Sequence, residues 1–214
     1  MNEVLFIEFI KKLCPVKYFK LKDFNIIIDE NKYKNILYDG SSFIHLVNLP
    51  ALKILLDDVQ IDPNLLDCDG FARIHTSTIE ELECLLTCPR TDPNLLSRTG
   101  YAKIHLATID ELKLLLNHPN INPNILDIHG NPPIYTNNIE KFKLLLKCNK
   151  TNPNILIHGF TLLHSFNYEK IQILLTLNNI NPNINSIIGT HPLDTIDYTK
   201  IKLLSSIVII SSFS

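Results

Sequence analysis

The 214-residue chain is short of glycine. It has six, at Gly40, Gly70, Gly100, Gly130, Gly159 and Gly189, in steps of 30, 30, 30, 29 and 30 residues. Each glycine therefore belongs to a recurring turn, and none is left for a glycine-rich loop that cradles phosphate. Cysteine is also sparse. Cys14, Cys68, Cys84, Cys88 and Cys148 are odd in number and include no CxxC pair. That speaks against a disulfide framework and for reduced thiols in a cytosolic or nuclear setting. Neither sign of charge is in excess. The formal net charge is −2, so no strong field steers the chain onto nucleic acid or an anionic membrane. Long apolar runs are missing: Ile207 to Ile210 is far too short to span a bilayer. The first residues, MNEVLFIEFIKKL, carry Glu3 and Glu8 and lack the basic-then-apolar order of a secretory signal. No GxSxG, P-loop or HExxH motif occurs. These absences leave no expected catalytic residue, cofactor or metal site.

What the chain has is a period. Pro63, Pro93, Pro123, Pro153 and Pro182 keep time with the glycines, and each is followed by an asparagine, from Asn64 to Asn183. A period in this range marks a solenoid of stacked units, each too small to bury its apolar face alone. Length alone would allow one or two domains. The repeat overrides that prior, because a solenoid grows by adding units to one core.

Within a unit the physics is legible. Isoleucine or leucine follows every glycine by four residues, and His45, His75, His105 and His164 come next, with Tyr135 and Asp194 elsewhere. This stretch predicts a helix of about two turns, apolar side inward. Eight residues after the glycine stand Asn48, Thr78, Thr108, Asn138, Asn167 and Asp197, all able to cap a second helix. Thr78 with Glu81 and Thr108 with Glu111 have capping-box spacing. Glu80, Asp110, Glu140 and Glu169 fall in the first turn, where the helix dipole favours them. Ile109, Leu112, Leu114, Leu115 and Leu116 predict a broad apolar face. Pro89 and Pro119 mark helix exits. Asp62-Pro63-Asn64 and Asp92-Pro93-Asn94 fit type I turns.

This order resembles the ankyrin repeat, whose signature is a glycine, a Thr-Pro-Leu-His-like tetrapeptide, a double-leucine helix and an Asp-x-Asn turn. The tetrapeptide reads AKIH at Ala102 to His105, TLLH at Thr161 to His164 and HPLD at His191 to Asp194. The leucine pairs are Leu85-Leu86, Leu115-Leu116, Leu145-Leu146 and Leu174-Leu175. The resemblance covers residues 38 to about 205 as six units and implies an all-α solenoid of helix pairs with hairpin-like turns. The units are about three residues shorter than the usual 33, with the loss between His105 and Leu115. The threonine that normally supports the histidine survives as Thr161, with Ser42 as a stand-in. Residues 1–37 are expected to form a helical N-terminal cap that includes a degenerate repeat. The apolar tail 206–214 either folds over the last unit or reflects a truncated reading frame.

Several residues invite sharper readings. A histidine column suggests metal, but adjacent layers lie roughly 8–10 Å apart while zinc needs nitrogens at about 2.0–2.1 Å. Cys84 sits in the leucine column and reads as core, with Cys88 at the helix end. The pairs Glu80-Glu81 and Asp110-Glu111 read as helix starts rather than acid–base catalysts. The lysines from Lys11 to Lys34, interleaved with Tyr18, Phe19, Phe24 and Tyr33, are diluted by Asp23, Asp29 and Glu30 and read as a solvated cap.

Repeat logic does not require the residues around the glycines. Phe71, Arg73, Arg98, Tyr101, Lys103, His129, His158 and Phe160 are the candidate partner-binding residues, since exposed aromatics and arginine anchor many interfaces. The resemblance implies a non-enzymatic interaction scaffold, binding a partner protein through the hairpin tips and the concave first-helix face. The expected state is a cytoplasmic monomer that binds no nucleic acid and no membrane. The Asn/Ile/Lys bias and compact repeats look like those of viral or intracellular-parasite ankyrin proteins that engage host factors, which would place it in the host cytoplasm or nucleus. The rival reading is a regulatory subunit or adaptor fragment of a larger enzyme or ubiquitin-ligase assembly; a third is a self-associating stack.

Overall fold

The computed structural model describes residues 42–59, 61–165 and 168–194. The expected N-terminal cap, Cys14, the caps Asn167 and Asp197 and the C-terminal tail lie outside the described residues. The chain divides into two compact units, Met1–Ile121 and Asn122–Ser214. The described residues hold helices and turns and no strand, apart from one isolated bridge between Ile157 and Phe160.

The first unit alternates short and long helices: α1 (Phe43–Leu46), α2 (Leu49–Asp57), α3 (Arg73–Thr76), α4 (Ile79–Thr87), α5 (Lys103–Leu106) and α6 (Ile109–Asn117). The short helices have four residues, one turn rather than the two expected. The shortened repeat explains this. Only two residues separate α3 from α4, and the second, Thr78, must be extended (φ −67°, ψ 171°) to cap α4. The missing length comes out of the first helix.

The long helices begin as the sequence implies. The Thr78 and Thr108 hydroxyls accept from the N–H groups of Glu81 and Glu111, whose carboxylates reach back to the cap N–H groups. Asn48 caps α2 through Ala51. The buried face is narrower than expected. Leu112 and Leu115 are wholly inside, as are Leu82 and Leu85 before them, whereas Ile109, Leu114 and Leu116 are half-buried. The expectation for the cysteines inverts: Cys88 is buried at the α4 cap and Cys84 is half-buried. A position two residues from Leu82 and one from Leu85 turns off the inward stripe.

The second unit contains α7 (Ile139–Lys147), α8 (Leu162–Ser165), α9 (Tyr168–Leu175) and a 3₁₀ turn at Pro192–Asp194. No short helix precedes α7. Instead Tyr135 N–H donates to the Pro132 carbonyl (2.8 Å) and the chain turns away. In other repeats the histidine Nδ1 accepts from the N–H three residues back: Ala72 to His75 (2.9 Å), Thr161 to His164 (3.2 Å). Here both partners are gone, since Pro132 has no N–H and Tyr135 has no ring nitrogen. Asn138 still caps α7, through the N–H groups of Glu140 and Lys141.

Turns and asparagines join neighbouring repeats. Asn64 N–H donates to Asp62 Oδ1 (2.9 Å), closing the turn. The Asn64 side chain then reaches the next repeat: Nδ2 donates to the Arg90 carbonyl (2.8 Å) and Oδ1 accepts from the Asp92 N–H (2.7 Å). In the second unit Asn124 clamps Lys150 and Asn152 in the same way, and Asn154 clamps Asn179 and Asn181. The sequence marked these asparagines as turn formers; their phase was also the signal for a ladder.

Hairpin tips stack as well. Arg98 N–H donates to the Gly70 carbonyl (2.7 Å), and a Cβ on Gly70 would stand 2.0 Å from Arg98 Cβ. Gly70 also has φ +81°, so shape and backbone both demand glycine there. The 29-residue step has its own explanation. In the first unit Asp67 N–H bonds Phe71 carbonyl across a three-residue loop. In the shortened repeat Ile157 and Phe160 bond each other directly, and His158 (φ 50°) and Gly159 (φ 85°) are both left-handed. One lost residue has turned a three-residue hairpin into a two-residue one of the primed type.

Candidate protein-binding surface

The eight candidates divide by what holds them. Arg73 and Lys103 belong to the framework, a correction to their reading as exposed anchors. Lys103 is 7% exposed; its Nζ lies 2.7 Å from Glu111 and donates to the Ser77 carbonyl. Arg73 pairs with Glu81 at 2.5 Å and donates to the carbonyls of His45 and Val47 in the preceding repeat. Each cation satisfies the orphan carbonyls where a short helix ends and neutralises the capping-box carboxylate. In the second unit Lys170, on α9, donates to the Thr136 carbonyl and sits 5.5 Å from the Phe142 ring centroid. The base has moved there from the short helix to the long one.

Burial pushes the Glu111 carboxyl upward, but hydrogen bonds from Lys103 and Thr108 and the Lys103 charge outweigh it. The net pKa falls below the ordinary carboxylate value. Burial pulls Lys170 below the usual lysine value, against the opposing Glu169 charge. Burial pushes the Cys84 thiol up, against Lys53, so Cys84 is a poor nucleophile at neutral pH.

The aromatics Phe71, Tyr101 and Phe160 are half-buried. Each meets its own repeat's histidine edge-on: Phe71–His75 and Tyr101–His105 at 6.1 Å, Phe160–His164 at 5.7 Å. They therefore serve the repeat on one side and present an edge on the other, a framework role that the sequence reading did not assign. The histidines tie short helix to hairpin. His75 Nδ1 accepts from Ala72, so Nε2 carries the proton given to the Leu95 carbonyl (2.9 Å). His45 and His164 reach a different place, the carbonyls of Phe71 and Thr190 that directly follow the next glycine, with Ser42 and Thr161 hydroxyls supporting Nδ1. Burial holds His75 below the ordinary imidazole value.

Arg98, His129 and His158 are exposed. Arg98 is anchored through its backbone and stem on Gly70. His158 Nε2 lies 3.2 Å from Asn131 Oδ1. Sequence reasoning missed the apolar partners of these tips. In the first unit Leu66 and Leu96 are 38% and 41% exposed; in the second, Leu126 and Leu156 are 46% and 50% exposed. All stand two residues past the clamping asparagine, a column visible in the sequence. The tips Ile128, Ile187 and Ile188 are more open still. On the first-helix side Leu106 is exposed at the end of α5.

Among the described residues no three His, Cys, Asp or Glu side chains gather as a metal site. None of the described helices is long and apolar enough to cross a membrane.

No protein-family model and no curated protein sequence matches the chain. Solved structures do. The ankyrin-repeat domain of Bcl-3, described as a unique member of the IkappaB protein family, aligns with 80% of this chain and 86% of its own at TM-score 0.67 and 22% identity. The ankyrin-repeat protein EF0377 aligns with 75% of this chain and 90% of its own at TM-score 0.57 and 19% identity. Glycine turns, capped long helices, histidine ties and asparagine clamps in one recurring order are thus matched by structures, and the fold of this chain is the all-α ankyrin-repeat fold.

Proposed function

We propose that the chain is a non-catalytic scaffold that binds a partner protein through its hairpin tips and the first-helix side. The observation that carries this reading is the leucine column. Leu66 and Leu96 stay exposed, Leu96 two residues before the exposed Arg98. An apolar side chain held open on a rigid turn next to an arginine and an aromatic edge, here Tyr101, has the composition of a binding hot spot. In the second unit Leu126 and Leu156 stand beside His129 and His158, and Phe160 offers the same kind of edge. Arg73 and Lys103 drop out of the surface because their cationic groups are spent internally. The carboxylates of the capping boxes, Glu81 and Glu111, are likewise engaged internally. We further propose six repeats over residues 38–205, behind a cap at 1–37 and before a tail at 206–214, acting in the cytoplasm, with a viral or parasite origin as the setting that the composition suggests.

The test is capture. The intact chain and a Leu96→Ser/Arg98→Glu variant are immobilised at equal density, and bound cell proteins are compared by mass spectrometry. The reading expects at least one protein enriched by the intact chain and lost with the variant, whose melting temperature is unchanged. Equal recovery by both, with normal melting, would move the contact surface away from the tips.

A further inference from the structure

The long helices α4 and α7 carry opposite charge: α4 has Glu80, Glu81 and Glu83 and no cation, whereas α7 has Lys141, Lys143 and Lys147 against Glu140. Between Ser42 and Ile121 the chain has eleven carboxylates against six cationic side chains; from Asn122 to Asp194 it has four against five. The excess acid of the first unit is on its surface. Of the six cations, Arg73 and Lys103 are consumed internally, Arg90 donates to the carbonyls of Leu56 and Asp58, and Lys113 pairs with Asp110. Between α2 and α4 lies an open groove of about 530 Å³, lined by Leu56 and Pro89 and rimmed by Asp57, Glu80 and Glu83 with Lys53. The carboxylates of Asp57, Glu80 and Glu83 are exposed.

On α7 Glu140 stands where Glu80 stands on α4, but the outward positions after it are basic. Lys143 stands where Glu83 stands on α4, and Lys147 where Thr87 stands, each 60 residues on. Both are exposed. They are four residues apart and share one helix face, while Phe142 and Leu145 fill the inward side. A lysine side chain also suits such a mixed groove, since its methylenes can lie against Leu56 and Pro89 while the ammonium meets a carboxylate at the rim.

We propose that this chain associates with a second copy of itself, the α7 lysine face of one copy seating Lys143 and Lys147 on the Asp57/Glu80/Glu83 rim of the other. The two patches differ, so the contact is head-to-tail rather than self-complementary. Exposed pairs of this kind are individually weak and screened by salt, so association is concentration-dependent and lost at high ionic strength. The inference is independent of the tip surface proposed above.

Sedimentation equilibrium of the full chain tests it. At low salt the weight-average mass rises with concentration and passes twice the single-chain value, since a head-to-tail contact leaves a groove and a ridge open at the ends, and in 0.5 M salt it returns to one copy. Glu80→Lys/Glu83→Lys and Lys143→Glu/Lys147→Glu variants each stay single at low salt. Mixed one to one they associate again, because the reversed groove of one meets the reversed ridge of the other and the two unaltered patches still match. Circular dichroism melts confirm that these exposed changes leave the fold intact. A wild-type chain that stays single at every concentration, variants that associate as the wild type does, or a mixture that stays single would each overturn the proposal.

Discussion

At the residue scale the repeat is held by polar groups placed where the chain has orphan donors and acceptors. Lys103 illustrates the magnitude. Removing one partner of a buried pair strands the other charge, at a cost of about 3–5 kcal/mol, whereas exposed pairs are worth about 0–1 kcal/mol. Lys103→Ala, beside buried Glu111, is therefore expected to lower stability by about 3–5 kcal/mol. Lys113→Ala, whose partner Asp110 has a largely exposed side chain, is expected to change it by less than about 1 kcal/mol. Urea melts of the two variants check the ordering. Thr91 points the other way. It is 4% exposed, and its hydroxyl oxygen has no hydrogen-bond partner. Ile61 and Ile121 occupy the equivalent places. Thr91→Val should raise stability by about 1 kcal/mol, through loss of an unsatisfied buried hydroxyl. A lower denaturant midpoint for the valine variant would show that the hydroxyl is doing something the geometry does not assign.

At the element scale each short helix is one turn long and cannot stand alone. In α3 the His75 imidazole ties the helix start to the Leu95 carbonyl. That bond sets a pH dependence. The folded pKa of His75 lies below its ordinary value, so the unfolded chain binds more protons as pH falls. Stability is full above the ordinary imidazole pKa and declines as pH drops through the folded one. Glu111, also held below its ordinary value, adds a loss of the same sign at lower pH. The melting temperature should fall between pH 7 and pH 5, and His75→Gln should flatten that fall. An equally steep fall in the variant would assign the titration to other groups. The repeat at Gly130 is the natural control, since Pro132 and Tyr135 remove both ends of the tie and the short helix with it.

At the scale of the whole molecule, what the sequence could convey was set by phase. Glycines, caps and turn prolines recur in register among the described residues, and of the expected apolar face Leu112 and Leu115 are inside while Ile109, Leu114 and Leu116 are half-buried. Lengths and exchanges within a column were not legible. The first helix is one turn because length was removed beside it, which a period alone cannot locate. Arg73 and Lys103 look like surface cations until their carboxylate partners are placed eight residues on. Leu66 and Leu96 look like core until the asparagine beside them is seen to fix the turn. Asn64 thus belongs to the framework, and Leu96 and Arg98 to the exposed surface. Chemical denaturation of Asn64→Ala beside a Leu96→Ser/Arg98→Ala variant measures that division directly. Two hydrogen bonds to the next repeat, at roughly 0.5–1.5 kcal/mol each, put the Asn64→Ala loss at about 1–3 kcal/mol. The double surface change should stay within about 0.5 kcal/mol of the parent. A double variant that unfolds more readily than Asn64→Ala would contradict the assignment of both.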